Sequence, residues 1–356
     1  MNNPSQKNLK KLLENPDPLV VGATGAGALI VAMVAAVGGW IGYSALKVNH
    51  AHTLPFALDT DRRTFISPIA GALSYYQNRA TDLASGSGSR PLVLIHSINA
   101  AGSSYEMRPL FEQYRALRPV YSLDLPGFGF SDRGRRVYSP MLYTEAIIDF
   151  ISTQVVPVEP VDAIALSLGS EFLARAAFMR PDLFRSITLI SPSGLYSRKT
   201  ANGSQRASQG GSSDRLYKTF AFSLWAQAFY DLIATRASIR FFLKRSFQGK
   251  IDPGLLRYAY LTAHQPGAKN APLYFISGKL FSADIFETVY SKLTVPVQII
   301  YDRDAFVKFD RLPELTTADH PNWHATRVAP TRGLPQFEQL ADTVAAIDGF
   351  WSEINT

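Results

Sequence analysis

The clearest sign of chemistry in this chain is a serine set between two nearly side-chain-free positions. Ser167 lies in the run Val161-Asp162-Ala163-Ile164-Ala165-Leu166-Ser167-Leu168-Gly169-Ser170-Glu171-Phe172. The residues before it are mostly β-branched or apolar and read as a strand. An Ala-, Leu- and Phe-rich helix follows from Glu171 to Met179 and ends before Pro181. So sharp a strand-to-helix turn strains the serine backbone, and the positions two before and two after it must be small. Ala165 and Gly169 occupy them. The chemistry implied is acyl transfer through the serine oxygen. A plain strand-turn-helix with an incidental serine is the competing reading, and a second apolar strand from Ser186 to Ile190 supplies the βαβ setting that favours the functional one.

The chain has 356 residues, enough for a full α/β core with an insertion. It contains no cysteine, which excludes disulfides, thiol catalysis and cysteine-ligated metal. No metal or cofactor is implied, and there is no glycine-rich phosphate loop. The net charge of +7 is unevenly placed: from Gly194 to Val295 there are fourteen Lys or Arg against five Asp or Glu, so the remainder is slightly acidic.

Residues 1–18 form a polar head with Lys7, Lys10 and Lys11, and from Leu19 to Leu46 there is no charged residue. A stretch of about 20 apolar residues crosses a bilayer as a helix, so 19–46 is expected to be a single transmembrane anchor. A cleaved signal peptide has a shorter apolar core of roughly 7 to 15 residues and fits less well. The three lysines before the span against Lys47 after it place the N-terminus on the cytoplasmic side. Ala28, Ala32 and Ala36, with Gly38 and Gly42, offer a small-residue face for self-association in the membrane.

After a linker at 47–62, Arg63 to Arg79 alternates like a β-hairpin, and Ala84 to Ser89 reads as a Gly/Ser turn. A buried strand, Pro91 to Ile95, leads to the small-residue loop His96 to Ser104 and a helix from Tyr105 to Tyr114. A second strand, Val120 to Leu123, runs into Asp124-Leu125-Pro126-Gly127-Phe128-Gly129-Phe130-Ser131, and an amphipathic helix spans Pro140 to Val155. Beyond Gly194, residues 197–213 are too polar to pack and read as a mobile loop. Helical segments rich in aromatics follow at 216–247, 255–264 and 273–281, carrying Lys218, Arg236, Arg240, Lys244 and Arg245. Aromatics at helical spacing are more often core than ligand pocket. Those basic helices suit anionic lipid headgroups, or are simply solvated faces; nothing points to nucleic acid. Val295 to Tyr301 and Trp323 to Val328 are two further strands.

The loop at 96–102, the D-L-P-G-x-G-x-S segment at 124–131 and the elbow at 165–169 together resemble the α/β-hydrolase fold family, over about Arg63 to Trp351. The resemblance implies a mostly parallel sheet flanked by helices: core at 63–193 and 295–356, a helical cap at 194–294, and the membrane helix in front. It also implies Ser167 as nucleophile, the backbone N–H groups of Ile98 and Leu168 as oxyanion donors, and Asp304, in the loop after Tyr301, as the acid that orients a histidine. A turn-capping aspartate is the alternative for Asp304. Ser97 stands where the family has glycine, and the G-H-x-P-x-x-E pattern reads Arg332-Gly333-Leu334-Pro335-Gln336-Phe337-Glu338 here, so Gly333 occupies the histidine position. Of the other histidines, His264 in the cap is the one that could reach down into the site. Two functions follow: a membrane-anchored serine hydrolase of ester or lipid-like acyl substrates, or a hydrolase-derived binding or scaffold protein holding an apolar ligand at the membrane.

Overall fold

The computed structural model describes residues 36–84, 90–155, 159–197 and 213–355. The described residues fall into two units, divided after Val48. In the first, residues 36–47 are helical, with Val37, Tyr43 and Leu46 exposed. Most of the expected span at 19–46 lies outside the described residues. Among those described, no helix is long and apolar enough to cross a membrane.

The second unit is built on an eight-stranded sheet in the order β1-β2-β4-β3-β5-β6-β7-β8. Its strands are β1 (Asp61–Ser67), β2 (Gly71–Gln77), β3 (Leu92–Ile95), β4 (Val120–Leu123), β5 (Val161–Leu166), β6 (Phe184–Ile190), β7 (Val297–Tyr301) and β8 (Trp323–Arg327). The hairpin β1–β2 and the β2–β4 pair are antiparallel, and every pair from β4 to β8 is parallel. The central strands β3, β4 and β5 are buried along their whole length and mostly apolar, because both faces are covered.

Strand alternation decides which residue faces which layer. Val93 and Ile95 of β3, with Ala163 and Ala165 of β5, pack into one core together with helices Pro140–Phe150 and Gly169–Met179. Leu92, Leu94, Ile164 and Leu166 point the other way, against helices Arg108–Tyr114 and Leu340–Glu353. The result is a three-layer α/β/α sandwich.

The D-L-P-G-x-G-x-S segment is a structural knot beside the sheet. Asp124 accepts from Ser104 N at 3.1 Å and Phe130 N at 3.0 Å, and Ser131 Oγ donates to Asp124 O at 2.5 Å. Gly129 has φ +52, and a Cβ there would lie 2.0 Å from Asp124 Cγ, so glycine is required.

Two expected helices change character at an end. The one beginning at Tyr105 opens with a 3-10 turn, Ser104–Met107, before the α-helix Arg108–Tyr114, whose second residue is Pro109. Pro140–Phe150 passes into a π-turn over Ile151–Val155.

The insertion between β6 and β7 is helical, as its composition implies. The described helices are Ser213–Phe220, Ala226–Ile233, Arg236–Ser246, Pro253–Ala263, Asn270–Ile276 and the short Ile285–Thr288, while 198–212, nearly all of the expected mobile loop, falls outside the described residues. Thr235 and Asp252 cap two of them by accepting from Ser238 N and Leu255 N. The aromatic stripes divide: Tyr230 and Tyr258 are buried, whereas Phe222, Phe241 and Phe242 are exposed.

Candidate active site

The elbow forms where β5 meets helix Gly169–Met179. Ser167 has φ 53, one of two positive values among the described non-glycine residues. The strain is held by Ser167 N donating to Ile190 O at 2.8 Å and Ser170 N donating to Ser167 O at 3.0 Å. Gly169 is needed for a second reason. A Cβ at that position would sit 2.5 Å from the carbonyl oxygen of His96, so only glycine lets the 96–102 loop approach the elbow.

That loop is fixed by buried side chains. His96 donates from Nδ1 to Ser97 O at 2.6 Å and accepts from Leu125 N at Nε2 at 3.0 Å, which sets its tautomer. Full burial pushes the imidazole down to about 4, so it stays neutral. Glu106 accepts from Ser97 N at 2.8 Å and from Asn99 Nδ2 at 2.8 Å. Its own burial raises it to about 7. Ser97, in the family's glycine position, has no positive φ, so the serine fits without strain.

With the loop so held, Ile98 and Leu168 are 2 % and 1 % exposed. Neither backbone N–H has an acceptor among the described residues. Two backbone N–H groups free of any protein acceptor, one of them on the residue after a strained serine, are what a developing oxyanion requires.

Asp304 follows β7. Its Oδ1 accepts from Phe306 N at 2.7 Å and Val307 N at 3.1 Å, so the turn-capping role is present. Its Oδ2 faces Gly333, and a Cβ on residue 333 would lie 2.4 Å from that oxygen. Burial pushes this carboxyl up to about 6.

No histidine bonds to Asp304 or Ser167 among the described residues. His264 does not turn toward the elbow. It donates from Nδ1 to Tyr260 O and packs against His50 and His52, ring centroids 6.3 and 6.0 Å away, because the segment after residue 48 runs along the cap there. His50 pairs with Asp231 at 2.9 Å, and His324 lies 3.3 Å from Glu353. Glu338, where the family motif has its glutamate, accepts from Arg332 N, Gln248 N and Gly249 N and so ties the Gly333 loop to the cap.

Sequence reasoning missed two buried carboxylates. Glu106 is one. The other is Glu171, which accepts from Ser193 Oγ at 2.6 Å and Ser282 N at 3.0 Å, joining both ends of the cap to the elbow helix. The available signal was a lone acid in an otherwise apolar helix. A cleft of about 620 Å³ lies elsewhere, against β1, lined by Phe56, Arg62, Arg79 and Arg108 among others, and shares no residue with the elbow. Among the described residues no cluster of His, Asp and Glu could hold a metal ion.

Comparison with known proteins agrees with the fold. A putative lipase from Acinetobacter baumannii AYE superposes with TM-score 0.63 at 16% identity, covering 91% of this chain and 96% of that one. A membrane phospholipase A described as a bacterial virulence factor gives 0.62 at 15% identity, covering 99% of both. The uncharacterized hydrolase YugF of Bacillus subtilis (strain 168) is 24% identical over 143 residues, which is 40% of this chain. The matched segment spans about half of that relative's length (48%). The sequence profile of the Alpha/beta hydrolase family matches residues 92–347, and the chain belongs to that family.

Proposed function

We propose that this chain is a serine hydrolase of ester or lipid-like acyl substrates, anchored to a bilayer by residues 19–46, with Ser167 as nucleophile and no histidine in its triad. The observation that carries the reading is the pairing of Ser167 at φ 53 with the two acceptor-free N–H groups of Ile98 and Leu168. A hydrolase-derived scaffold has no need to hold two backbone donors free of a protein acceptor in this arrangement. The lipid-like substrate class is supported by likeness to a putative lipase and a membrane phospholipase A, and by the uncharged stretch at 19–46. Exposed Phe241 and Phe242 on the basic cap helix Arg236–Ser246 suit an anionic membrane surface. The lysines ahead of the apolar stretch support an N-terminus in the cytoplasm, and its small residues support self-association.

Gly333 favours a second reading, an apolar-ligand scaffold, because losing the imidazole of a triad costs on the order of 10⁴ to 10⁶ in turnover. Covalent labelling of the full chain in detergent by a fluorophosphonate, read by intact mass, separates the two. Labelling lost in Ser167→Ala is expected for the hydrolase. A folded protein that takes no label is the scaffold, and a lipid extracted with it would be its ligand.

A further inference from the structure

The backbone around Gly333 is closed to a side chain. Its φ is +106, where L residues are strained, and the Asp304 carboxylate already fills the volume a Cβ would need, with Oδ2 at 2.4 Å. The loop as folded has no room for a histidine side chain at this position. The acid stands where the base's side chain would begin. Asp304 Oδ1 is pinned by two backbone N–H groups, and Oδ2 has no donor among the described residues.

Ser167 and Asp304 leave the same edge of the sheet. β5 and β7 are separated by β6 alone, so their ends lie roughly 10 Å apart.

We propose that Asp304 is itself the general base of this site, taking the Ser167 proton through a single water held in the place of the absent imidazole. The inference rests on the serine-hydrolase reading. In acylation the Ser167 Oγ–H proton passes to the water, and a water proton passes to Asp304 Oδ2. The Oγ–acyl bond forms, the acyl–oxygen bond of the ester breaks, and the leaving alkoxide recovers the proton from Asp304 by the same route. In deacylation the water beside Oδ2 is the nucleophile: it gives one proton to Asp304, the acyl–Oγ bond breaks, and Oγ recovers that proton. Asp304 thus touches a reacting atom in each half. Burial raises the carboxylate's basicity, with Lys308 on the same loop acting in the opposite direction. On the facing loop, Glu338 is already engaged by Arg332 N and two cap N–H groups.

The test is the second-order rate of fluorophosphonate labelling from pH 4.5 to 8.5, on the full chain in detergent, for wild type, Ser167→Ala, Asp304→Asn and Asp304→Glu. Wild type is expected to speed up through an inflection near 6, the value to which burial lifts Asp304. Asp304→Asn is expected to be slower by about 100-fold, within the range of general-base catalysis, with the inflection gone. Unchanged rate and inflection in Asp304→Asn, with Ser167→Ala unlabelled, overturns the proposal and leaves the serine-hydrolase reading intact. Labelling that is absent in wild type, or that survives in Ser167→Ala, overturns both. If Asp304→Asn melts early, Asp304→Glu decides: a shifted inflection supports the proposal, and one identical to wild type overturns it.

Discussion

Ser193 Oγ donates to Glu171 Oε1 at 2.6 Å, and this bond fastens the point where the chain leaves the core to the helix Gly169–Met179 that follows Ser167. Ser282 N, near the point where the chain returns, donates to the other oxygen of the same carboxyl at 3.0 Å. One buried side chain therefore couples cap position to elbow geometry.

Glu171 makes that coupling sensitive to pH. Burial lifts it from 4.5 to about 7, so the folded chain keeps a proton that the unfolded chain releases. Stability from this group is fully present below pH 4.5 and falls as pH rises toward 7, by roughly 3 kcal/mol at most. Glu171→Gln removes the titration, so its stability relative to wild type is expected to improve by about that much between pH 4.5 and 8. Thermal melts of both proteins across that range check it. A difference that stays flat with pH rejects the assignment.

His96 works in the opposite direction. Its folded value of about 4 lies below the ordinary 6.5, so its contribution is complete above 6.5 and lost as pH falls toward 4. His96→Ala orphans the Leu125 N–H and empties a packed position, with an expected loss of about 3 kcal/mol or more near neutrality. Fluorophosphonate labelling should fall as well, since the Ile98 donor moves with the loop. Melting curves and labelling rates on one preparation measure both effects.

Gly169→Ala tests the close approach of elbow and oxyanion loop. The added methyl must displace the His96 carbonyl, 2.5 Å away. Misplacing one oxyanion donor costs on the order of 100-fold or more, and that is the expected drop in labelling rate. Secondary structure by circular dichroism should remain, because the sheet itself is untouched.

Gly333→His is expected not to restore a triad. Position 333 has φ +106, which costs a side chain about 1 to 3 kcal/mol before any clash with Asp304. A lower melting temperature with no gain in ester hydrolysis is the expected pair of results. A gain of tenfold or more would mean that the loop adapts.

The exposed aromatics of the cap can be tested apart from the chemistry. Phe241 stands in T-shaped contact with Phe242, and Phe242 rests near Phe306 in the loop of the candidate base. The Arg245 guanidinium lies over Phe241 and Phe306. Replacing Phe241 and Phe242 with Ser should shift stability by no more than about 0.5 kcal/mol, as is usual for surface positions. Hydrolysis of long-chain esters in anionic nanodiscs should fall, while hydrolysis of a soluble short-chain ester stays as it was. Equal rates on the long-chain ester would show that this patch does not meet the bilayer.

Local rules made most of the core legible before any coordinates. Short, mostly apolar runs of four to seven residues with turn residues between them place β3 to β7, because a strand buried on both faces needs a largely apolar sequence. Ala165, Ser167 and Gly169 announce the elbow, because the steric demand of that turn falls on residues adjacent in sequence. Long-range geometry was not written there. No local rule shows that Glu106 braces the loop carrying Ile98, that Glu171 gathers the two ends of the cap, or that His264 pairs with His50 and His52 instead of the site. Those relations join residues far apart in the chain, and only packing brings them together. That residue 333 is a glycine was legible; that Asp304 fills the space a side chain there would need is decided by the tertiary structure, through a positive φ and a carboxylate held from behind by two N–H groups.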